Sequence, residues 1–304
     1  MNVMKLEEWM WSYLGIIIEA LPFLLIGAVL SAVIQIYVSD EFIKKIIPPN
    51  SIIGYLIAAL SGIFFPVCEC AIVPITRSLI KKGLPVSVGI TFMLAVPIVN
   101  PVVIMSTYYA FPGNIDIVLL RTIGGVIGAL IVGLTIGFFY DKNDKKDVLK
   151  DENNINYCDC CSYNNNYYIS FKGKLRNLVI NASNEFLNIS IYFIIGAFIS
   201  SIFVVFFQDG LLENLVAGNA VGIIIMMLLG FLLSLCSEAD AFVARGFLDN
   251  FGPYGVIAFL ILGPMMDLKN LILAFGFFKK KFIFKLLLII IIVVFSICYL
   301  LALL

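Results

Sequence analysis

Phe64–Pro74 reads FFPVCECAIVP, which sets Cys68, Glu69 and Cys70 side by side in a strongly apolar stretch. A second run, Leu232–Phe242, reads LLSLCSEADAF and brings Cys236, Glu238 and Asp240 into equally apolar company. Thiols this close together can capture soft, thiophilic species. Carboxylates beside them can balance charge or carry a proton. Farther on in each half, AVPIVNP (Ala95–Pro101) holds Pro97 and Asn100, and GPMMDLKN (Gly263–Asn270) holds Asp267 and Lys269. Ionisable groups are costly in apolar surroundings and tend to mark a functional pathway. A plainer reading stays open for each. Cysteine is a common small core filler, and Glu238, Asp240, Asp267 and Lys269 could be internal ion pairs that hold helices together.

Several chemistries are excluded. The chain has no histidine, so it can form neither a His-based zinc site nor a Ser-His-Asp triad. It has no G-x4-G-K-[ST] phosphate loop and no HExxH, so neither ATP hydrolysis nor zinc proteolysis is expected. The chain reads as a non-enzyme that needs no cofactor. Cys158, Cys160 and Cys161 form a CDCC run that could bind a soft metal or metalloid in a reducing compartment. Their spacing matches no zinc pattern, so an incidental or accessory role is expected.

The elements that carry these residues belong to a membrane. Of the 304 residues, 62% are hydrophobic and 13% charged, against about 45–50% and about 25% in soluble domains. The apolar segments are long rather than alternating, which indicates an all-α integral membrane protein and not a β-barrel. The first apolar run lacks a cleavage signature and reads as a retained helix. Asp141–Arg176 is Asn- and Lys-rich, reads as a flexible loop, and divides the chain into a membrane unit at 1–140, a cytoplasmic loop at 141–177 and a second unit at 178–304. The net charge of +0 gives no bias towards nucleic acid. The expected surroundings are the lipid bilayer of the plasma (inner) membrane, crossed several times, with a small molecule as substrate; the sequence leaves a homo-oligomer open.

The two units repeat. Leu60-x-Gly62-x5-Cys68 recurs as Leu228-x-Gly230-x5-Cys236, an offset of 236 − 68 = 168, which Arg77/Arg245 and Pro85/Pro253 share. Gly27-Ala28-x-x-Ser31 recurs as Gly196-Ala197-x-x-Ser200, at 196 − 27 = 169, and Pro97-x-x-Asn100 as Pro264-x-x-Asp267, at 264 − 97 = 167. Lys and Arg cluster at Lys44/Lys45, Arg77/Lys81/Lys82, in the central loop and at Lys279–Lys281, whereas the connectors Pro112–Asp116 and Gln208–Asn214 carry none. The positive-inside rule gathers these clusters on one side if each unit contains three spanning helices and one re-entrant hairpin. The expected architecture is therefore two inverted repeats, with Cys68-Glu69-Cys70 and Cys236–Asp240 at hairpin turns that face each other near the midplane. The alternative is eight plain spanning helices. Arg77 and Arg245 are expected to anchor hairpin ends or pair with carboxylates, and the Gly124-Gly125-x-x-Gly128 and Gly133-x3-Gly137 runs to pack helices closely. Glu19 and Asn188, 169 residues apart, are expected to face the bundle interior.

Phe64–Ile104 (FFPVCECAIVPITRSLIKKGLPVSVGITFMLAVPIVNPVVI) and Leu235–Arg245 (LCSEADAFVAR) resemble the predicted permease family that includes bacterial organoarsenical efflux permeases. The resemblance covers both halves and is weakest in the loop. It implies a membrane permease, and it makes a trivalent organoarsenical such as methylarsenite a plausible passenger, because that species is small, neutral and thiophilic. Cys68 and Cys70 would then capture the passenger, with Cys236 as a relay. Glu69, Glu238 and Asp267 are the candidates for carrying a coupling proton. Pro97, Asn100, Asp240 and Lys269 complete the expected substrate-binding set. The alternatives are a permease for another small solute or ion with structural cysteines, and a membrane sensor or assembly factor that uses the CDCC loop.

Overall fold

The computed structural model describes residues 3–37, 52–64, 69–140, 148–150, 171–207 and 219–303. Pro66, Cys68, Cys158, Cys160 and Cys161 lie outside the described residues, as do the side chains of Glu19 and Asn188. A chain in hydrocarbon must satisfy its own backbone hydrogen bonds, so helices dominate. In chain order they are α1 (Val3–Tyr37), α2 (Ile52–Leu60) continued by the 3-10 turn Ser61–Ile63, α3 (Glu69–Lys81), α4 (Val86–Val99), α5 (Pro101–Ala110), α6 (Ile115–Tyr140), α7 (Phe171–Phe207), α8 (Asn219–Leu233), α9 (Asp240–Arg245), α10 (Leu248–Met265), α11 (Leu268–Phe277) and α12 (Lys280–Leu303). Among the described residues, five helical stretches are long and apolar enough to cross a membrane: Trp9–Val33, Ile115–Tyr140, Leu178–Ile199, Leu248–Phe277 and Lys280–Leu303. Taking α4 and α5 as one bent span makes six. Ile52–Ile63 and Ala220–Leu233 are apolar but shorter, and they fall below the roughly 20 residues that a crossing needs.

Two helices form the centre. Every residue of α4 is buried, and α10 is buried from Gly255 to Met265. These two pack on each other; α6 and α12 pack on each other outside them, while α1 packs along α7. The outer helices turn large apolar side chains outward, for example Ile123 and Phe138 on α6 and Leu288 and Leu300 on α12, as lipid-facing helices do. Glycines set the closest approaches. A Cβ at Gly125 would lie 2.7 Å from Ile98, and one at Gly62 only 2.6 Å from the Val96 carbonyl oxygen. In the second half Gly230 is the counterpart of Gly62, and its Cβ would lie 3.0 Å from the Phe259 carbonyl oxygen on α10.

Both central helices break where the prolines and polar residues of the sequence lead one to expect. Pro97 lies inside α4, and the chain turns by 42° before α5. Asn100 caps the new helix, its Oδ1 accepting from the Val102 N–H at 3.0 Å. Pro264 lies inside α10, Met266 is extended, and Asp267 caps α11 by accepting from the Asn270 N–H at 2.6 Å. Each proline removes a backbone donor, and each cap satisfies a donor that the break orphans.

The central polar stretch is not uniform. Leu149 pairs with Phe278 in an antiparallel bridge, the Lys279 N–H donates to the Val148 carbonyl at 2.9 Å, and the Lys150 ammonium donates to the Phe275 carbonyl at 2.7 Å. Val148 is buried. This tripeptide therefore docks on the α11–α12 junction. α7 runs from Phe171 to Phe207.

Candidate functional site

The start of α3 and the turn between α8 and α9 meet in the interior. Glu69 opens α3 and is 2% exposed. Ser237 lies in the turn after α8, where Cys236 accepts backbone bonds from Ala239 and Asp240 at 2.8 and 3.0 Å. The Ser237 hydroxyl donates to Glu69 Oε2 at 2.9 Å, across 168 residues. That separation equals the repeat offset, so the two residues in contact hold equivalent positions in the two halves. Next in the turn, the Cys236 thiol donates to Glu238 Oε2 at 2.7 Å.

Charges surround this contact in two pairs. Arg121 of α6 is fully buried and lies 3.4 Å from Asp240 Oδ2. The same guanidinium donates to the Thr107 hydroxyl at 2.6 Å and to the Ser237 carbonyl at 3.1 Å, tying α5, α6 and the second turn together. Lys269 Nζ lies 3.7 Å from Asp267 Oδ2 at the broken helix. The Lys269 ammonium is also within electrostatic reach of Glu69, Cys70 and Cys236. A buried charge needs a partner or hydrogen bonds to persist. Asp240 and Asp267 each have a cation at ion-pair distance. Among the described residues Glu69 has none at that distance; its hydrogen bond comes from a hydroxyl. Glu238 is half-buried, and its carbonyl accepts from the Ser106 hydroxyl of α5.

Beside Glu69 is a small cavity. Its walls include Met93 of α4, Pro264 and Met265 of α10, Met266 of the break and Asn270 of α11. Asn270 is 4% exposed, and its Oδ1 has no hydrogen-bond partner among the described residues.

Of the residues expected from sequence, Glu69, Cys70, Cys236, Glu238, Asp240, Asp267 and Lys269 gather around the start of α3, the turn between α8 and α9, and the second helix break. Pro97 and Asn100 form the first break, where Asn100 acts as a helix cap. Arg77 stacks its guanidinium 4.9 Å from the centre of the Phe277 ring, and Arg245 donates to the Ala110 carbonyl at 3.0 Å, so both tie down helix ends. Arg121, which is not among the site residues expected from sequence, is an interior ion-pair partner. Sequence reasoning also passed over Ser234, Ser237 and Asn270. Ser234 has φ 48 and is fully buried, and its hydroxyl accepts from the Leu268 N–H at 3.1 Å, bracing the second break. A serine that ends an apolar run is a turn signal, and this one was legible in SLCSEAD.

Comparisons with known proteins identify the family. The family described as "Predicted permease" (ArsP_1) matches residues 6–303. A Bacillus subtilis protein named "UPF0718 protein YcgR" is 40% identical over 284 residues, 93% of this chain and 92% of that protein. A Streptococcus mutans protein named "Putative two-component membrane permease complex subunit" is 37% identical over 273 residues, 90% of this chain and 88% of that one. No solved structure matches. With several helices able to cross a bilayer and charged groups enclosed between them, the chain is a multi-pass protein of the cell membrane and belongs to the ArsP_1 family of predicted permeases.

Proposed function

We propose that this permease exports a small thiophilic solute, such as a trivalent organoarsenical, by alternating access to a site between the two turns. The observation that carries the reading is the buried Ser237–Glu69 hydrogen bond between equivalent positions of the two halves. Packing supports the same symmetry: α3 rests on α11 as α9 rests on α5, and α2 on α4 as α8 on α10. Two inverted repeats, each with three spanning helices and a re-entrant hairpin, fit the two short apolar helices better than eight full crossings do. In such folds substrate sites lie at the repeat interface beside broken helices.

Cys68 and Cys70 are assigned to capture. For each As–S bond formed, one As–OH bond breaks, and the hydroxide leaves as water with the thiol proton. Cys236 then accepts the passenger by thiol exchange: an As–S bond to Cys236 forms as one to Cys68 or Cys70 breaks, and the Cys236 proton passes to the departing thiolate. Glu69 is assigned the coupling proton, because Asp240 and Asp267 are matched by Arg121 and Lys269. The competing reading, a permease for another solute with structural cysteines, draws on the Cys236–Glu238 hydrogen bond. The name of the Streptococcus relative speaks of a two-component complex. For this chain we propose that one polypeptide builds the passage, since both turns come from it.

The test is resistance to trivalent methylarsenic in cells that express Cys68→Ser/Cys70→Ser at the normal level. Loss of resistance is expected; full resistance would overturn thiol capture.

A further inference from the structure

We infer that the exposed face formed by α5 and α9 is a second seat for the α1–α7 helix pair, and that the pair moves between two equivalent seats as access alternates. The inference rests on the alternating access proposed above. α1 and α7 hold equivalent places in the two halves and pack along each other. The rings of Trp9 and Tyr13 meet Phe198 edge-on at 5.3 and 5.9 Å, so the two helices form one unit. That unit lies to one side. α1 packs on α3, and α7 on α11. The elements equivalent to α3 and α11 are α9 and α5. Among the described residues, α7 does not pack along α9, nor α1 along α5, in the same way. One pair thus serves two equivalent faces and occupies only one of them. In transporters built from repeats, alternating access is largely the rocking of one bundle against another.

The seats correspond residue by residue. A Cβ at Gly27 of α1 would lie 2.9 Å from the Ala71 Cα of α3, and Ser31 shares a buried hydrogen bond of 2.7 Å with Ser78. A Cβ at Gly196 of α7 would lie 3.1 Å from the Lys269 Cα of α11. Small residues permit such close approach between membrane helices. At the repeat offsets the counterpart of Ala71 is Ala239, that of Ser78 is Gly246 and that of Lys269 is Val102. The second seat is therefore made of small or apolar residues, and it is bare. Val243 is 38% exposed where its counterpart Ile75 is 2%, and Val102 is 52% exposed where Lys269 is 4%. Phe242 and Gly246 are exposed, whereas Pro74 and Ser78 are buried. Exposed apolar side chains of a membrane protein ordinarily meet lipid. What sets this face apart is that the same positions are covered in the other half. The cover also reaches the site: Cys70, in the occupied seat, is buried, and its counterpart Glu238, beside the bare one, is half-buried. Exchange of seats moves the cover from one turn to the other.

The test cross-links the full-length protein in vesicles, in a background lacking the native cysteines. Ser31→Cys/Ser78→Cys reports the present seat, and the equivalent pair, Ser200→Cys/Gly246→Cys, reports the second. Both are expected to form a disulfide within one chain under mild oxidation, because the bond traps even a minor conformer. Ser78→Leu, which fills only the present seat, is expected to speed the second link several-fold. A first link without a second, or a second link formed only between two chains, overturns the inference. Gly246→Leu is an independent measure in the native-cysteine protein. Gly246 is exposed with φ −63, so this variant is expected to keep its unfolding temperature in detergent. By blocking the second seat it is expected to lower export of trivalent methylarsenic about tenfold or more. Unchanged export by the folded variant overturns the inference. Should Gly246→Leu fail to fold, Val243→Trp puts bulk on the same face and is read in the same way. Failure of wild type to export methylarsenic overturns the passenger reading alone, and the cross-links still decide the seats.

Discussion

Arg121 and Asp240 show how the interior tolerates charge. Each is buried, they lie 3.4 Å apart, and the guanidinium also donates to the Thr107 hydroxyl and the Ser237 carbonyl. Removing one partner leaves the other charged in a medium that cannot solvate it. Arg121→Met is therefore expected to cost about 3–5 kcal/mol, and Arg121→Met/Asp240→Leu to recover most of that loss. Thermal unfolding in detergent reads both; a double variant no better than the single would show that the pair is not what matters. Glu69 behaves differently because a hydroxyl is its partner. Ser237→Ala is expected to weaken transport only several-fold, on the order of 1 kcal/mol for one hydrogen bond. Glu69→Gln is expected to keep substrate exchange but lose its response to a pH gradient, and a full response in Glu69→Gln would move the coupling role elsewhere. Most of the acidic residues and thiols of this site were legible as chemistry misplaced in apolar sequence. Arg121 was not, because its partner is 119 residues away, and a single arginine in an apolar helix does not disclose which neighbour it faces. Asn270 was equally silent, because the cavity it lines is assembled from four helices, α3, α4, α10 and α11, and the α10–α11 break.

The informative elements are the broken helices and the close crossings. Prolines announced both breaks, and the residue three places after each proline, Asn100 or Asp267, caps the next helix. Asn100→Ala is expected to cost about 1 kcal/mol, typical of a lost cap. The glycine crossings give an ordered pair. At Gly62 an added Cβ would meet the Val96 backbone at 2.6 Å, and at Gly230 the Phe259 backbone at 3.0 Å. Gly62→Ala is therefore expected to destabilise more than Gly230→Ala, with roughly 1–3 kcal/mol for the tighter site; equal unfolding temperatures would contradict the packing. The docked tripeptide Val148–Lys150 could not be read from sequence. Two apolar residues within an Asn- and Lys-rich stretch show no periodicity, and only the exposed backbone of the α11–α12 junction gives them a place.

At the scale of the whole molecule the repeat offsets were visible in sequence, and the Ser237–Glu69 contact gives them a physical meaning. Whether the short helices turn back is a question of sidedness. Asn114 and Lys280 are both exposed. Two re-entrant hairpins put them on opposite faces of the membrane, whereas eight crossings put them on the same face. Labelling Asn114→Cys and Lys280→Cys with a membrane-impermeant reagent, in a background lacking the native cysteines, is expected to mark the first from outside and the second from inside. The central claim is that cysteines and a carboxylate at the facing turns move a thiophilic passenger against protons. Its most direct test is uptake of trivalent methylarsenic into everted vesicles, with and without an imposed pH gradient, for wild type, Cys68→Ser/Cys70→Ser and Glu69→Gln. The result expected is gradient-driven uptake by wild type, none by the cysteine variant, and uptake indifferent to the gradient in Glu69→Gln. Equal, gradient-independent uptake by all three proteins would contradict the claim.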